Sequence, residues 1–285
     1  MLLFSLLVAG SFSFGKLIAG DIDPVALTAA RFAMAALLLG GVLALTGRLK
    51  LAHYRQPWRF LPLGGMFVIY FVLMFEALKT ATPISTATVF TAMPLMAGLM
   101  DLAVSGRSQR PAVWLALAVG GFGALWVIFR GDIGALLALD LGRGEMLFAI
   151  GTAAHAAYAV MLPRLRRGEP VYATTLGLVI SGALLLAILF WPRLAATDWS
   201  ALPLLVWGVM AYLAIFASLG TFSLITVAAM RLPSAKVTAY TYLTPFWVVL
   251  LESLMGNGWP GLLVLMGGVP ILAALLMLFL LREHG

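Results

Sequence analysis

Ten apolar runs divide this chain, each bounded by charge, proline or glycine. They cover residues 2–19, 25–46, 58–78, 83–102, 112–129, 144–162, 171–191, 203–229, 233–252 and 259–281. Each is near the ~20 residues an α-helix needs to cross the hydrocarbon of a bilayer. Membrane strands are about half as long and alternate in polarity, and lipid leaves no partner for bare backbone. The pattern therefore predicts ten membrane-spanning helices. No connection is long enough to be a domain; the longest, 130–143, predicts a short interfacial turn.

Composition agrees with lipid as the main solvent. Apolar residues make up 63% of the chain and charged residues 10%, against about a quarter charged in soluble domains. An ordinary soluble enzyme could not bury that much apolar surface, and disorder needs the opposite balance. There is no cysteine, which excludes disulfides, thiolate nucleophiles and cysteine metal sites. The net charge of +7 does not point to nucleic acid, because no basic cluster lies on a polar amphipathic segment. It sets orientation instead. With the N-terminus in the cytoplasm, the inner loops and tail hold Arg48, Lys50, Arg55, Arg59, Arg107, Arg110, Arg164, Arg166, Arg167, Arg231 and Arg282. The outer loops hold only Lys79, Arg130, Arg143 and Arg193. Eleven against four predicts both termini in the cytoplasm, in a bacterial inner membrane. Met1-Leu2-Leu3-Phe4 has no basic residue of the kind that opens a cleavable signal, so the first run is expected to stay as a span.

The chain repeats. At a shift of 151 residues Phe71 meets Phe222, Leu73 meets Leu224, Ala77 meets Ala228, Pro94 meets Pro245, Leu99 meets Leu250 and Asp101 meets Glu252. Gly120-Gly121 and Gly267-Gly268 match with a small gap. Five helices per half is an odd number, so the second half enters the membrane from the opposite side. The prediction is an all-α protein of two inverted five-helix repeats, 1–135 and 136–285, around a central cavity.

The stretches PVALTAARFAMAALLL, FEALKTATPISTATVFTAMPLMAGLMD and AAMRLPSAKVTAYTYLTPFWVVLLE resemble the EamA branch of the drug/metabolite transporter superfamily. The resemblance covers essentially the whole chain. It implies ten helices, a cavity lined by the first, third, fourth, sixth, eighth and ninth, and export of small metabolites; the family includes exporters of aromatic amino acids. Where the family often has a tryptophan in the first span this chain has Ser11, with Phe12 or Phe14 as the replacement aromatic.

Polar groups within a span are costly and usually face the interior of the bundle. His155, among small residues in the sixth run with Tyr158 one turn on, is a cavity hydrogen-bonding group or proton-sensitive site, or else a histidine bonded to a neighbouring helix. Glu76 and Lys79 are spaced to pair, and Lys79 is the better ligand of the two; the alternative is snorkelling at the interface. Ser85, Thr88 and Thr91 recur every three residues and either meet a substrate or bond back to their own helix. Tyr212, Phe216 and Ser223 share one face of the eighth run, and Lys236, Tyr240, Leu243 and Trp247 one face of the ninth. Pro94 and Pro245 predict matched kinks with a gating role. Arg31, inside the second run, is read as structural, with a backbone carbonyl or a headgroup as its partner.

The substrate-binding candidates are therefore Phe14, Lys79, Thr88, Thr91, His155, Tyr158, Tyr212, Phe216 and Tyr240. They fit an amino acid, preferably aromatic. No metal or other cofactor is implied. An intramembrane enzyme lacks its nucleophile or metal cluster, no Walker motif provides ATP hydrolysis, and a channel would want rings of polar pore residues.

Overall fold

The computed structural model describes residues 1–106, 110–129, 131–134, 142–232 and 234–281, without the side chains of 128 and 234–236. Arg107, Arg130, Arg282, the centre of the 130–143 connection and the repeat boundary at 135/136 lie outside the described residues, as does the side chain of Lys236. Among the described residues there is no strand. The apolar runs become α1 (Leu2–Ile18), α2 (Pro24–Leu45), α3 (Phe60–Leu78), α4 (Pro83–Ser105), α5 (Pro111–Ile128), α6 (Arg143–Leu165), α7 (Val171–Leu189), α8 (Leu204–Ala229), α9 (Ser234–Leu254) and α10 (Leu262–Leu280). Seven of these are long and apolar enough to cross a membrane, whereas α1 and α5 are shorter and α9 is divided.

Local chemistry sets the ends. Asp23 caps α2, its carboxylate accepting from Val25 N at 2.8 Å and Ala26 N at 3.2 Å, and Thr82 caps α4 through Ser85 N at 3.1 Å. Pro24, Pro83 and Pro111 stand at first helical positions, where a missing N–H costs nothing. Gly106 ends α4 in the left-handed region at φ 67°.

Two helices break at their prolines. In α4 a turn at Thr91–Ala92 interrupts the helix, which restarts at Met93 with Pro94 in its first turn. In α9 the helix gives way to a 3-10 turn, Tyr240–Leu243, and restarts at Thr244 with Pro245 in its first turn. The expected kinks are thus restarts. A proline nitrogen cannot donate four residues back, and the chain tightens for a turn instead of bending smoothly. A third interruption, a π turn at Ile215–Gly220 in α8, has no proline.

The halves interlock. α3 packs on α6 and α7, α1 on α9, α2 on α7 and α5 on α10. The last two are pairs of repeat-equivalent helices, as expected near an axis relating two halves. Repeat-equivalent Phe71 and Phe222 also meet, stacked at 6.1 Å. Close packing around α5 needs glycine: a Cβ on Gly123 would lie 2.8 Å from Gly267 O of α10, and one on Gly120 would lie 2.6 Å from the Tyr242 ring of α9. Gly120 and Gly267, one from each matched glycine pair, thus serve contact within the chain.

Candidate functional site

The centre of the bundle is built on α6. Small residues at Gly151, Thr152, Ala156 and Ala159 let α3 come close; a Cβ on Gly151 would be 3.2 Å from Tyr70 O. His155 projects from that face, 3% exposed. Its ring lies 4.4 Å from Tyr70, 5.0 Å from Phe67, 5.4 Å from Phe90 and 6.0 Å from Tyr158. Phe67 stacks on Phe222 at 4.0 Å. Phe90 continues the cluster to Phe12 at 5.9 Å and Phe148 at 6.2 Å. So α1, α3, α4, α6 and α8 each present a ring there, and α9 reaches α1 through Trp247 Nε1, which donates to Ser5 Oγ at 3.0 Å.

Several polar atoms in this centre are buried without a hydrogen bond. They include both imidazole nitrogens of His155, Thr152 Oγ1 and Ser13 Oγ. The Tyr158 hydroxyl faces Thr226 without closing a bond. Buried polar groups are normally satisfied, and each one left open costs about 1–3 kcal/mol. Several together inside an aromatic shell make this centre the candidate site. His155 is not tied to a neighbouring helix by a hydrogen bond.

Arg31 lies beside the cluster. It is fully buried on α2 and, among the described residues, has no carboxylate in salt-bridge range. Its Nε and Nη2 donate to Ser218 Oγ at 3.1 and 2.7 Å, and Nη2 also donates to Ala217 O at 3.2 Å. The guanidinium sits 3.8 Å from the Phe71 ring centroid. Nη1 has no partner. The acceptors belong to the π turn of α8, which aims Ala217 O and Ser218 at α2. The structural role expected of Arg31 is present. So is a positive charge with a free donor, which the sequence did not rank among binding candidates.

Three other candidates meet beside α1. Tyr212 donates to Leu7 O at 3.0 Å, and its ring lies 5.0 Å from Phe14 and 5.6 Å from the half-exposed Phe216. The remaining four lie apart. Lys79 pairs with Glu76 at 2.9 Å, both about one-third exposed. Thr88 and Thr91 are buried and bond back to Ile84 O at 2.7 Å and Thr88 O at 2.6 Å. Tyr240 lines a cavity of about 140 Å³ with Leu275, Leu278 and Phe279 of α10. Trp247, expected on the same face, reaches α1 through its bond to Ser5, beyond the intervening 3-10 turn.

The sequence missed Phe12 as a central residue of its own, and Phe67, Tyr70, Phe90 and Phe222. Aromatic residues in an apolar run look the same whether they face lipid or each other. The only signal was the four-residue spacing of Phe67, Phe71 and Phe75.

Comparison with known proteins follows the repeat. The model of the EamA-like transporter family matches residues 1–129 and 142–280, one block per half. The "Uncharacterized transporter YyaM" of Bacillus subtilis (strain 168) is 24% identical over 258 residues, covering 89% of this chain and 84% of that protein. The "Uncharacterized transporter YwfM" of the same organism is 24% identical over 263 residues, covering 88% and 86%. A solved crystal structure superposes with a TM-score of 0.74 at 20% identity over 97% of this chain and 95% of that one, a likeness of fold.

Proposed function

This chain belongs to the EamA-like transporter family, and from that premise we propose that it is a secondary exporter of small metabolites, with aromatic amino acids as the favoured substrates. The two five-helix halves move against each other and open the centre to one side at a time. The observation that carries the substrate reading is the pairing of an aromatic shell with unmet polar groups and an acid-free guanidinium. Phe67, Tyr70, Phe90 and Phe222 supply aromatic surroundings that suit a ring. The lone-pair nitrogen of a neutral His155 and the oxygen of the Tyr158 hydroxyl suit the ammonium end. Arg31 Nη1 suits the carboxylate. Phe14, Tyr212 and Phe216, which meet beside α1, add a second aromatic group to this reading. Pro94 and Pro245, at matched restarts, let the inner segments of α4 and α9 swing as the access side changes. The charge count supports a bacterial inner membrane with both termini in the cytoplasm.

The test is counterflow with the purified chain in liposomes, starting with the twenty amino acids. Saturable exchange of phenylalanine, tyrosine or tryptophan is expected. Linear, unsaturable flux makes the chain a pore, and exchange confined to other metabolites overturns the substrate class. His155 is the one titratable imidazole at the centre. If it carries protons, His155→Gln removes the pH dependence of exchange; an unchanged profile removes the proton role and leaves it a neutral hydrogen-bonding group.

A further inference from the structure

Away from the bundle centre, the loop joining α2 to α3 meets the loop joining α6 to α7 across a cavity of about 520 Å³. We propose that this cavity binds a phosphate group, and that its occupant is the headgroup of an anionic phospholipid.

The charge is one-sided. Arg55, Arg59 and Arg167 line the cavity against a single carboxylate, Glu169. That carboxylate is already engaged. Glu169 Oε1 pairs with Arg59 Nη1 at 3.3 Å, and Oε2 accepts from Arg167 N at 2.7 Å. Arg59 Nη1 also donates to Leu165 O at 2.8 Å. Arg59 is 5% exposed, yet its Nε is a buried donor with no acceptor, and His53 Nδ1 is likewise buried and unpartnered. Among the described residues the guanidinium groups of Arg55 and Arg167 have no hydrogen bond or ion pair. The site therefore holds a net excess of guanidinium with open donors in a pocket large enough for a headgroup. Planar guanidinium forks match phosphate oxygens.

Position selects the lipid. Arg59 stands at the start of α3 and Pro170 immediately before α7, so the cavity opens where two spans leave the apolar layer. Trp58 beside it is 55% exposed and Leu51 83% exposed. Exposed tryptophan at a helix end marks headgroup depth, and basic pockets between spans at that depth recruit anionic lipid. The two loops come from opposite halves of the chain, so an occupant would bridge the repeats.

The test uses the purified full chain in detergent, with native mass spectrometry and thermal unfolding in the presence of phosphatidylglycerol, phosphatidylcholine or inorganic phosphate. The variants are Arg55→Gln, Arg167→Gln and the pair, which spare the buried Arg59–Glu169 bridge; Arg193→Gln, at the Asp23 bridge, is the control. Phosphatidylglycerol is expected to be retained and to raise the melting temperature where phosphatidylcholine does not. The double variant should bind it about thirtyfold more weakly, with the control unchanged. If inorganic phosphate protects the wild type as well as the lipid does, and the double variant loses both, a soluble phosphate replaces the lipid as occupant and the lipid assignment is overturned. Equal lipid retention by wild type and double variant overturns the site. None of these outcomes depends on the transport substrate.

Discussion

The two halves of the chain share one plan and differ where it matters for the centre. In the first half α3 runs unbroken from Phe60 to Leu78 and supplies Phe67, Tyr70, Phe71 and Phe75 as a ring-bearing wall. Its counterpart in the second half, α8, is interrupted by a π turn at Ile215–Gly220 and contributes one ring to the same place, Phe222. The turn is not idle. It presents the carbonyl of Ala217 and the hydroxyl of Ser218 to Arg31 of the first half. An inverted repeat therefore need not divide its work equally: both halves bring rings, but the first brings the charge and the second the acceptors that meet it. π bulges recur at functional sites for this reason, since an extra residue in a turn releases backbone groups from the helical ladder.

The sharpest way to break this comparison is at the equivalent pair that meets on the axis. Phe71→Ala and Phe222→Ala should each cost about 3–5 kcal/mol in detergent unfolding. Phe71→Ala should also impair transport more, because Phe71 carries the guanidinium of Arg31. Equal transport by the two variants would return the halves to equal roles. Next comes the charge itself. Arg31→Gln should raise the KM for a carboxylate substrate about thirtyfold or more and spare the corresponding decarboxylated amine; loss of both alike would leave Arg31 only a clamp on the π turn.

A smaller effect tests the glycine contact between equivalent helices. Gly123→Ala and Gly267→Ala should each cost about 1–3 kcal/mol, since a Cβ on Gly267 would lie 2.6 Å from Val127 and 3.0 Å from Gly123 O. Tolerance at either position would mean that α5 and α10 can part without strain. The smallest effect lies at the loops. Burial, with Tyr172 second, raises the Tyr54 hydroxyl from 10.0 to about 12. The unfolded chain loses that proton first, so its contribution to stability is complete below pH 10 and declines between pH 10 and 12. Melting curves should show this alkaline decline, and Tyr54→Phe should flatten it.

Much of the fold could be read from the chain because lipid imposes a simple rule. Apolar runs of spanning length, punctuated by Pro24, Pro83 and Pro111, are helices wherever they sit. The match of Phe71 with Phe222 and of Pro94 with Pro245 foretold a repeat, and the family model falls in two blocks accordingly. Less of the site was legible. His155 and Tyr158 stood out because polar residues are rare in spans, and Tyr212, Phe14 and Phe216 do come together. Thr88 and Thr91 have the same spacing as a binding stripe, but their hydroxyls return to their own helix. Tyr240 lies against α10 while Trp247, expected on the same face, reaches α1.

Length and polarity along the chain determined that this protein is a bundle of membrane helices in two related halves, since transfer to lipid depends on local composition. Only the tertiary structure decided which rings face one another, which hydroxyls stay open, and that Arg31 finds Ser218 across 187 residues. Those choices depend on helix rotation and on interruptions of the ladder, and in an apolar chain neither leaves a clear mark on the order of residues.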